Sequence, residues 1–307
     1  MICEIFKVNE LITLKFENDR TNIYVAGKLF KPCVVPTSNL SNFDSIHSID
    51  EIEDYISPKE IEIYYNPRDI SSEEEFRAHC SNIAIWAEND YNTELLHRYV
   101  AFPLLKQLLK VGDVKAKKIF KEEIAYRYTK GNDLVKRYLR IEGYLDYLTR
   151  KEFFNLFPFG SELMEIENEL NGKFVLADEN HTKKKTLYFF HLDDDSYQCS
   201  KGAILVGICN YRLSKSKWDR ILNTLSSIKQ LEILDLSSNN LKRVPESIFD
   251  LNHLKRLNLS YNKIKKITQE LNAKVFLNKK RKKRLIYYER LIYFLKYKYK
   301  DRIRKNT

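Results

Sequence analysis

The chain has 307 residues, with 53 Lys plus Arg against 42 Asp plus Glu and a formal net charge of +11. At 43% apolar and 13% aromatic residues it is too hydrophobic to be disordered, and its length suits two or three small domains, each with its own core. Only 8 residues are Gly, which disfavours Gly-rich phosphate-cradling folds and a large β-barrel with many tight turns, and makes helix the expected majority structure.

Residues 1–67 read as a small β-rich module. LITLKF, NIYVAGKLF and EIEIYY are short, rich in β-branched and aromatic residues, and separated by polar turns such as ENDRT. Ser72 followed three residues later by Glu75 has the spacing of a capping box and should start a helix. From there to residue 157 the pattern is helical. Thr93 is placed to cap a segment in which Leu95, Leu96, Tyr99, Phe102, Leu105 and Leu109 recur at spacings of three and four, with Gly112 as its stop and Pro103 expected to kink it. Asp113 should cap the next helix, which ends near Gly131, and a shorter one ends at Gly143. Helices cut this short bury one apolar stripe each and should stack as an array. Residues 158–200 read as a connector, with a short helix begun at Ser161 and two candidate strands, KFVLAD and TLYFFHL.

The segment LEILDLSSNNLKRVPESIFDLNHLKRLNLSYNKIKKI repeats with a period of 23: Leu231, Leu234, Leu236, Asn239, Leu241 and Val244 are matched by Leu254, Leu257, Leu259, Asn262, Ile264 and Ile267. An earlier, degenerate copy carries Ala203, Val206, Ile208, Tyr211 and Leu213, with Tyr211 in place of the Asn. Ile208 precedes Leu236 by 28 residues, the five extra ones being absorbed by a helix around Trp218 to Ile228. The L-x-x-L-x-L-x-x-N-x-L pattern resembles the leucine-rich repeat, and Val244-Pro245 with Ile248 and Leu251 fits its 23-residue intracellular type. The resemblance covers about residues 203–270 and implies a short solenoid of about three coils, in which Asn239 bonds the backbone of neighbouring coils. It also implies protein recognition through the concave sheet, whose non-core positions would be Ile233, Asp235 and Ser237, then Arg256, Asn258 and Ser260, with Leu205, Gly207 and Cys209 on the degenerate coil. The string HCSNIAIWAENDYNTELLHRYVAFPLLKQLLKVGDVKAKKIFKEEIAYR is similar to a module found ahead of leucine-rich repeats in archaeal proteins, a resemblance that adds architecture and no mechanism.

Enzyme motifs fail. Gly202 and Gly207 have P-loop spacing, but Ile208-Cys209 stands where Lys and Ser or Thr must hold phosphate and Mg²⁺. Asp193, Asp194 and Asp195 lack the Gly and the twelfth-position Glu of a calcium loop and read as a solvated turn. His79, Cys80, Trp86, Glu88, Asn89, Asp90 and His97 form one cluster in sequence. It reads as buried polar residues tying two helices together, with a thiol or metal site as the other reading, because His79 and Cys80 point about 100° apart on a helix. No catalytic residue, cofactor or metal is inferred. Cys3, Cys33, Cys80, Cys199 and Cys209 are odd in number and contain no C-x-x-C pair, which fits a reducing compartment. The first thirty residues show no signal-peptide pattern, and the longest uninterrupted apolar run is about five residues against the ~18 that span a bilayer. A cytoplasmic protein is expected.

Residues 273–307 hold 14 Lys plus Arg and two acids, a charge of +12, so the remaining 272 residues sum to −1. Lys279, Lys280, Arg281, Lys282, Lys283 and Arg284 are consecutive, and Leu285, Tyr288, Ile292, Leu295 and Tyr299 follow at helical steps. This basic amphipathic helix can cap the open end of the last repeat, or serve nucleic acid, an anionic membrane or a partner helix. The expected whole is an α+β chain: β-rich module 1–67, helical array 71–157, connector 158–200, leucine-rich-repeat domain 201–272 and basic helix 273–307. Its expected role is that of a non-enzymatic protein–protein adaptor, possessing no small-molecule substrate and tied to intracellular signalling by the repeat type. The alternative is a nucleic-acid or anionic-membrane binder acting through residues 279–284.

Overall fold

A computed structural model describes residues 4–30, 50, 71–176, 186–192, 203–265 and 274–276. The candidate strand EIEIYY, the Asp193–195 turn, Gly202, Ile267 and the basic helix with residues 279–284 lie outside the described residues. The architecture mixes helices and sheets, and the chain divides into two compact units, residues 1–156 and 157–307. Among the described residues no helix is long and apolar enough to cross a membrane.

The first unit begins with an antiparallel meander of β1 (Glu4–Lys7), β2 (Ile12–Glu17), β3 (Arg20–Val25) and β4 (Lys28–Phe30). Along β2 the period of two is explicit: Ile12, Leu14 and Phe16 are buried while Thr13, Lys15 and Glu17 are half-buried. Asn18 and Asp19, both left-handed at φ 54° and 56°, make the two-residue turn that matches strand twist. The segment NIYVAGKLF is two strands rather than one, because Ala26 and Gly27 turn the chain at positive φ.

Helix α1 (Ser72–Glu88) starts one residue earlier than its expected box: Ser71 is the cap, its Oγ accepting from Glu74 N at 3.2 Å while Ser71 N donates to Glu74 Oε2 at 2.8 Å. Phe76 of α1 packs on Phe16 of β2 with ring centroids 5.6 Å apart. The sheet and this helix therefore pack together within the unit of residues 1–156. Helix α2 (Arg98–Lys110) is capped by His97 rather than Thr93, whose backbone N–H and Oγ1 both donate to Glu123 Oε2, at 2.9 and 2.7 Å. It continues through Pro103 and stops before Gly112 at φ 88°. Asp113 caps α3 (Val114–Lys130), accepting from Ala116 N at 2.6 Å, and Asn132 caps α4 (Asp133–Ile141). Between them lie Phe102, Phe120, Tyr138 and Tyr144 in tilted ring contacts, followed by α5 (Arg150–Phe154).

The second unit contains α6 (Gly160–Leu170), α7 (Lys215–Ser226) and a six-stranded sheet in the order β10-β9-β8-β7-β6-β5. Its strands are β5 (Phe174–Leu176), β6 (Thr186–Leu192), β7 (Ala203–Cys209), β8 (Leu231–Asp235), β9 (Arg256–Asn258) and β10 (Lys274–Phe276). Strands β7 to β10 are parallel neighbours in chain order, as repeats demand, whereas β6 runs antiparallel to β7. Strands β5 and β6, which fall within the expected connector, extend this sheet. Helix α7 lies between β7 and β8 in the chain, and its Trp218, Ile221, Leu222 and Leu225 are buried, as are Leu234, Leu236, Leu257 and Leu259 of the repeat segment.

Candidate partner-binding face of the repeat sheet

The repeat positions are locked by two asparagines. Asn239 accepts from Tyr211 N at 2.7 Å and donates through Nδ2 to Ile208 O at 2.6 Å and Leu236 O at 2.9 Å. Asn262, one period later, accepts from Asn239 N and Leu241 N and donates to Leu236 O and Leu259 O, all between 2.8 and 3.0 Å. An amide is suited to this place because it carries both an acceptor and two donors, and so satisfies backbone groups that a parallel ladder leaves open where its strands end. Tyr211 fills the Asn position of the degenerate coil and takes part through its backbone N–H. The residue before each position, Asn210, Ser238 and Tyr261, is left-handed at φ 63°, 62° and 60°, so the chain leaves β7, β8 and β9 by the same bend.

On one face of the sheet a row runs Tyr188, Gly207, Asp235, Asn258 across β6 to β9. Gly207 is the only residue of β7 without a side chain, and a Cβ there would run into the Tyr188 ring. The ring crosses β7 at that gap and its hydroxyl donates to Asp235 Oδ2 at 2.5 Å. Burial, followed by the Asp235 carboxylate and the Cys209 thiol, raises the Tyr188 pKa well above the ordinary tyrosine value. Asp235 Oδ1 accepts from Ser237 N at 2.8 Å, and Asn258 Oδ1 makes the equivalent bond to Ser260 N at 3.0 Å one coil later. The Cys209 thiol donates to Asp235 O at 3.8 Å and lies 3.5 Å from Ser237 Oγ.

Of Ile233, Asp235, Ser237, Arg256, Asn258 and Ser260, all but Arg256 are buried, as are Leu205 and Cys209. The physical reason is visible at Asp235 and Asn258, whose side chains turn back on their own strand ends, and at Tyr188, which covers Asp235. TLYFFHL is legible as a strand, but its pairing with β7 is not; the local signal for Tyr188 is Gly207, a gap in an otherwise apolar strand.

The His79–His97 cluster is distributed among separate tasks. His79 Nε2 is 3.3 Å from Glu75 Oε1 one turn back on α1, Trp86 is buried against the Tyr91 ring at 4.6 Å, and Asp90 pairs with Lys115 at 2.8 Å. Asn89 ends α1, its backbone N–H donating to Ile85 O at 3.0 Å. Burial, then the charge of Glu4, pushes the Cys80 thiol up to about 11, the opposite of what a thiolate nucleophile requires. His97 caps α2 and its Nε2 is 3.8 Å from Asp50 Oδ1. Among the described residues no group of three or more His, Cys, Asp or Glu is placed to hold a metal ion. A buried node that sequence reading missed is centred on Asp50. Its carboxylate accepts from Arg98 N at 2.9 Å, Arg98 Nη1 at 3.1 Å and Arg127 Nη2, while Asn132 Nδ2 donates to its carbonyl at 3.2 Å. The available signal was Arg127, which sits on the apolar stripe of α3 with Phe120 and Ile124.

Residues 229–272 match the family model described as Leucine rich repeat. No curated protein and no solved structure matches the chain.

Proposed function

We propose that the protein is a non-enzymatic protein-recognition module in which residues 201–272 form a short solenoid of about three coils that presents a rigid binding surface to a protein partner. The observation that carries this reading is the leucine-rich-repeat segment 229–272, whose asparagines tie β7, β8 and β9 into one parallel ladder. A surface so cross-linked is pre-organised, which lowers the entropy lost on binding. Because Ile233, Asp235, Ser237, Asn258 and Ser260 are buried, they serve as the floor of the ladder. Binding falls to the flanking loops and to Arg256, which is partly exposed. The buried free thiols Cys80 and Cys209 suit a reducing cytoplasm, where an adaptor in intracellular signalling would act.

Affinity capture with the full chain beside a form lacking residues 277–307, at low and high salt, tests the proposal. Recovery of one protein by both forms at both salt concentrations is expected. Recovery of nucleic acid or lipid alone, and only with residues 279–284 present, would establish the anionic-ligand alternative instead.

A further inference from the structure

The two edges of the repeat sheet carry different charge. The loops and first helical turn that follow β7, β8 and β9 expose Arg212, Lys215, Lys242, Arg243, Lys263 and Lys265, and Glu246 is the one acidic residue exposed there among the described residues. The loops that precede β8 and β9 expose Lys229, Lys255 and Asp250, a near balance. Repeat register creates the asymmetry. Arg212, Asn240 and Lys263 occupy one equivalent position in successive coils, and Ser214, Lys242 and Lys265 another, at the same offsets of 28 and 23 that relate the core residues.

The loops are held beside one another by bonds already described and by Lys263 N, which donates to Leu241 O at 2.7 Å. Successive coils are therefore about one strand spacing, ~5 Å, apart at this edge. Among the described residues, Arg212, Lys242, Arg243, Lys263 and Lys265 make no side-chain ion pair, and Lys215 alone reaches an acid, Glu246 at 3.7 Å. Elsewhere in the same unit Lys255 pairs with Glu232 at 3.0 Å and Arg220 with Glu169 at 2.6 Å, while exposed Lys173 and Lys229 stand singly rather than in a row. Like charges brought within a Debye length by the fold repel one another and raise the local positive potential, which an anionic partner would relieve.

We propose that this ridge, formed by the loops after β7, β8 and β9, is the partner-binding surface and that it takes an acidic protein segment. The inference rests on the protein-recognition reading above and names the chemistry of its partner. One observation sets the ridge apart from a single-stranded nucleic-acid groove: of its aromatic side chains Tyr211 and Trp218 are buried and Tyr261 is half-buried, which leaves little ring surface for bases to stack on.

The test uses the full chain and three probes: poly-L-glutamate, oligo-dT, and phosphatidylserine vesicles. It compares the wild type, the ridge variant Lys242→Glu/Lys263→Glu/Lys265→Glu, and a tail variant with the same number of reversals, Lys279→Glu/Lys282→Glu/Lys283→Glu. All the ridge positions are exposed, so an unchanged thermal transition is the control for folding. The ridge variant should bind poly-L-glutamate about tenfold or more weakly than wild type, with a larger loss than the tail variant shows. Equal poly-L-glutamate binding by wild type and ridge variant overturns the proposal, and so does a larger loss for oligo-dT or vesicles than for poly-L-glutamate. If the ridge variant still captures the same protein as wild type, the ridge is excluded while protein recognition stands; if neither form captures any protein, the recognition reading itself fails.

Discussion

Tyr188 Oη lies 2.5 Å from Asp235 Oδ2 although the two residues sit on strands separated by β7, and the phenol reaches across because Gly207 leaves its lane open. Gly207→Ala would place a methyl group against the ring. It should destabilise the protein by about 1–3 kcal/mol, as overpacking of a close-fitting core does, measured as a lower urea midpoint at constant slope. An unchanged midpoint would mean that the ring does not occupy this lane.

The raised Tyr188 pKa has a definite sign in stability. A phenol whose folded pKa exceeds its unfolded value of about 10 contributes stability that is complete below pH 10 and is lost as the pH climbs above it towards the folded value. Alkaline unfolding should therefore be less steep between pH 10 and 11.5 in Tyr188→Phe than in wild type. At neutral pH the same variant should be less stable by about 1–3 kcal/mol, because the buried Asp235 carboxylate loses a donor. Parallel pH curves for the two proteins would contradict the assignment.

Asn239 and Asn262 make similar bonds at different depth. Asn239 is buried and Asn262 is half-buried, so water can replace the partners of the second but not of the first. Asn239→Ala should cost about 3 kcal/mol or more and Asn262→Ala less than half of that, by chemical denaturation of each variant. Equal losses would show that the ladder is not anchored at the middle coil.

Asp50 carries the bonds of two buried guanidinium groups. Asp50→Ala removes the carboxylate from Arg98 and Arg127 and should lower stability by about 3–5 kcal/mol, whereas Asp90→Ala, which breaks the exposed pair with Lys115, should leave the melting transition nearly unchanged. Thermal melts of both variants give the contrast.

Cys80 should be chemically quiet. With its thiol pushed from 9.0 to about 11 by burial, the thiolate fraction at pH 8 falls on the order of 100-fold. Alkylation by iodoacetamide, followed by peptide mass mapping, should leave Cys80 unmodified in native protein and label it fully in urea. Rapid native labelling would restore the reactive-thiol reading.

What the sequence by itself determined was whatever repeats or terminates locally. The period of 23 located Asn239 and Asn262 and the core leucines, Gly112 and Gly143 marked helix ends at positive φ, and Asp113 marked a helix start. Those features follow from backbone geometry within a few residues, or from self-similarity that any coil must share with the next. Only the tertiary structure decided that β6 joins the repeat sheet, that Tyr188 closes over Asp235, and that Asp50 meets Arg127. Those partners stand 47 and 77 residues apart, and no spacing rule reaches so far. The concave positions illustrate the difference most directly. Alternation along β8 and β9 puts Asp235 and Asn258 on one face, but whether a face meets solvent depends on what crosses it, and over Asp235 that is the Tyr188 ring from a strand 47 residues upstream.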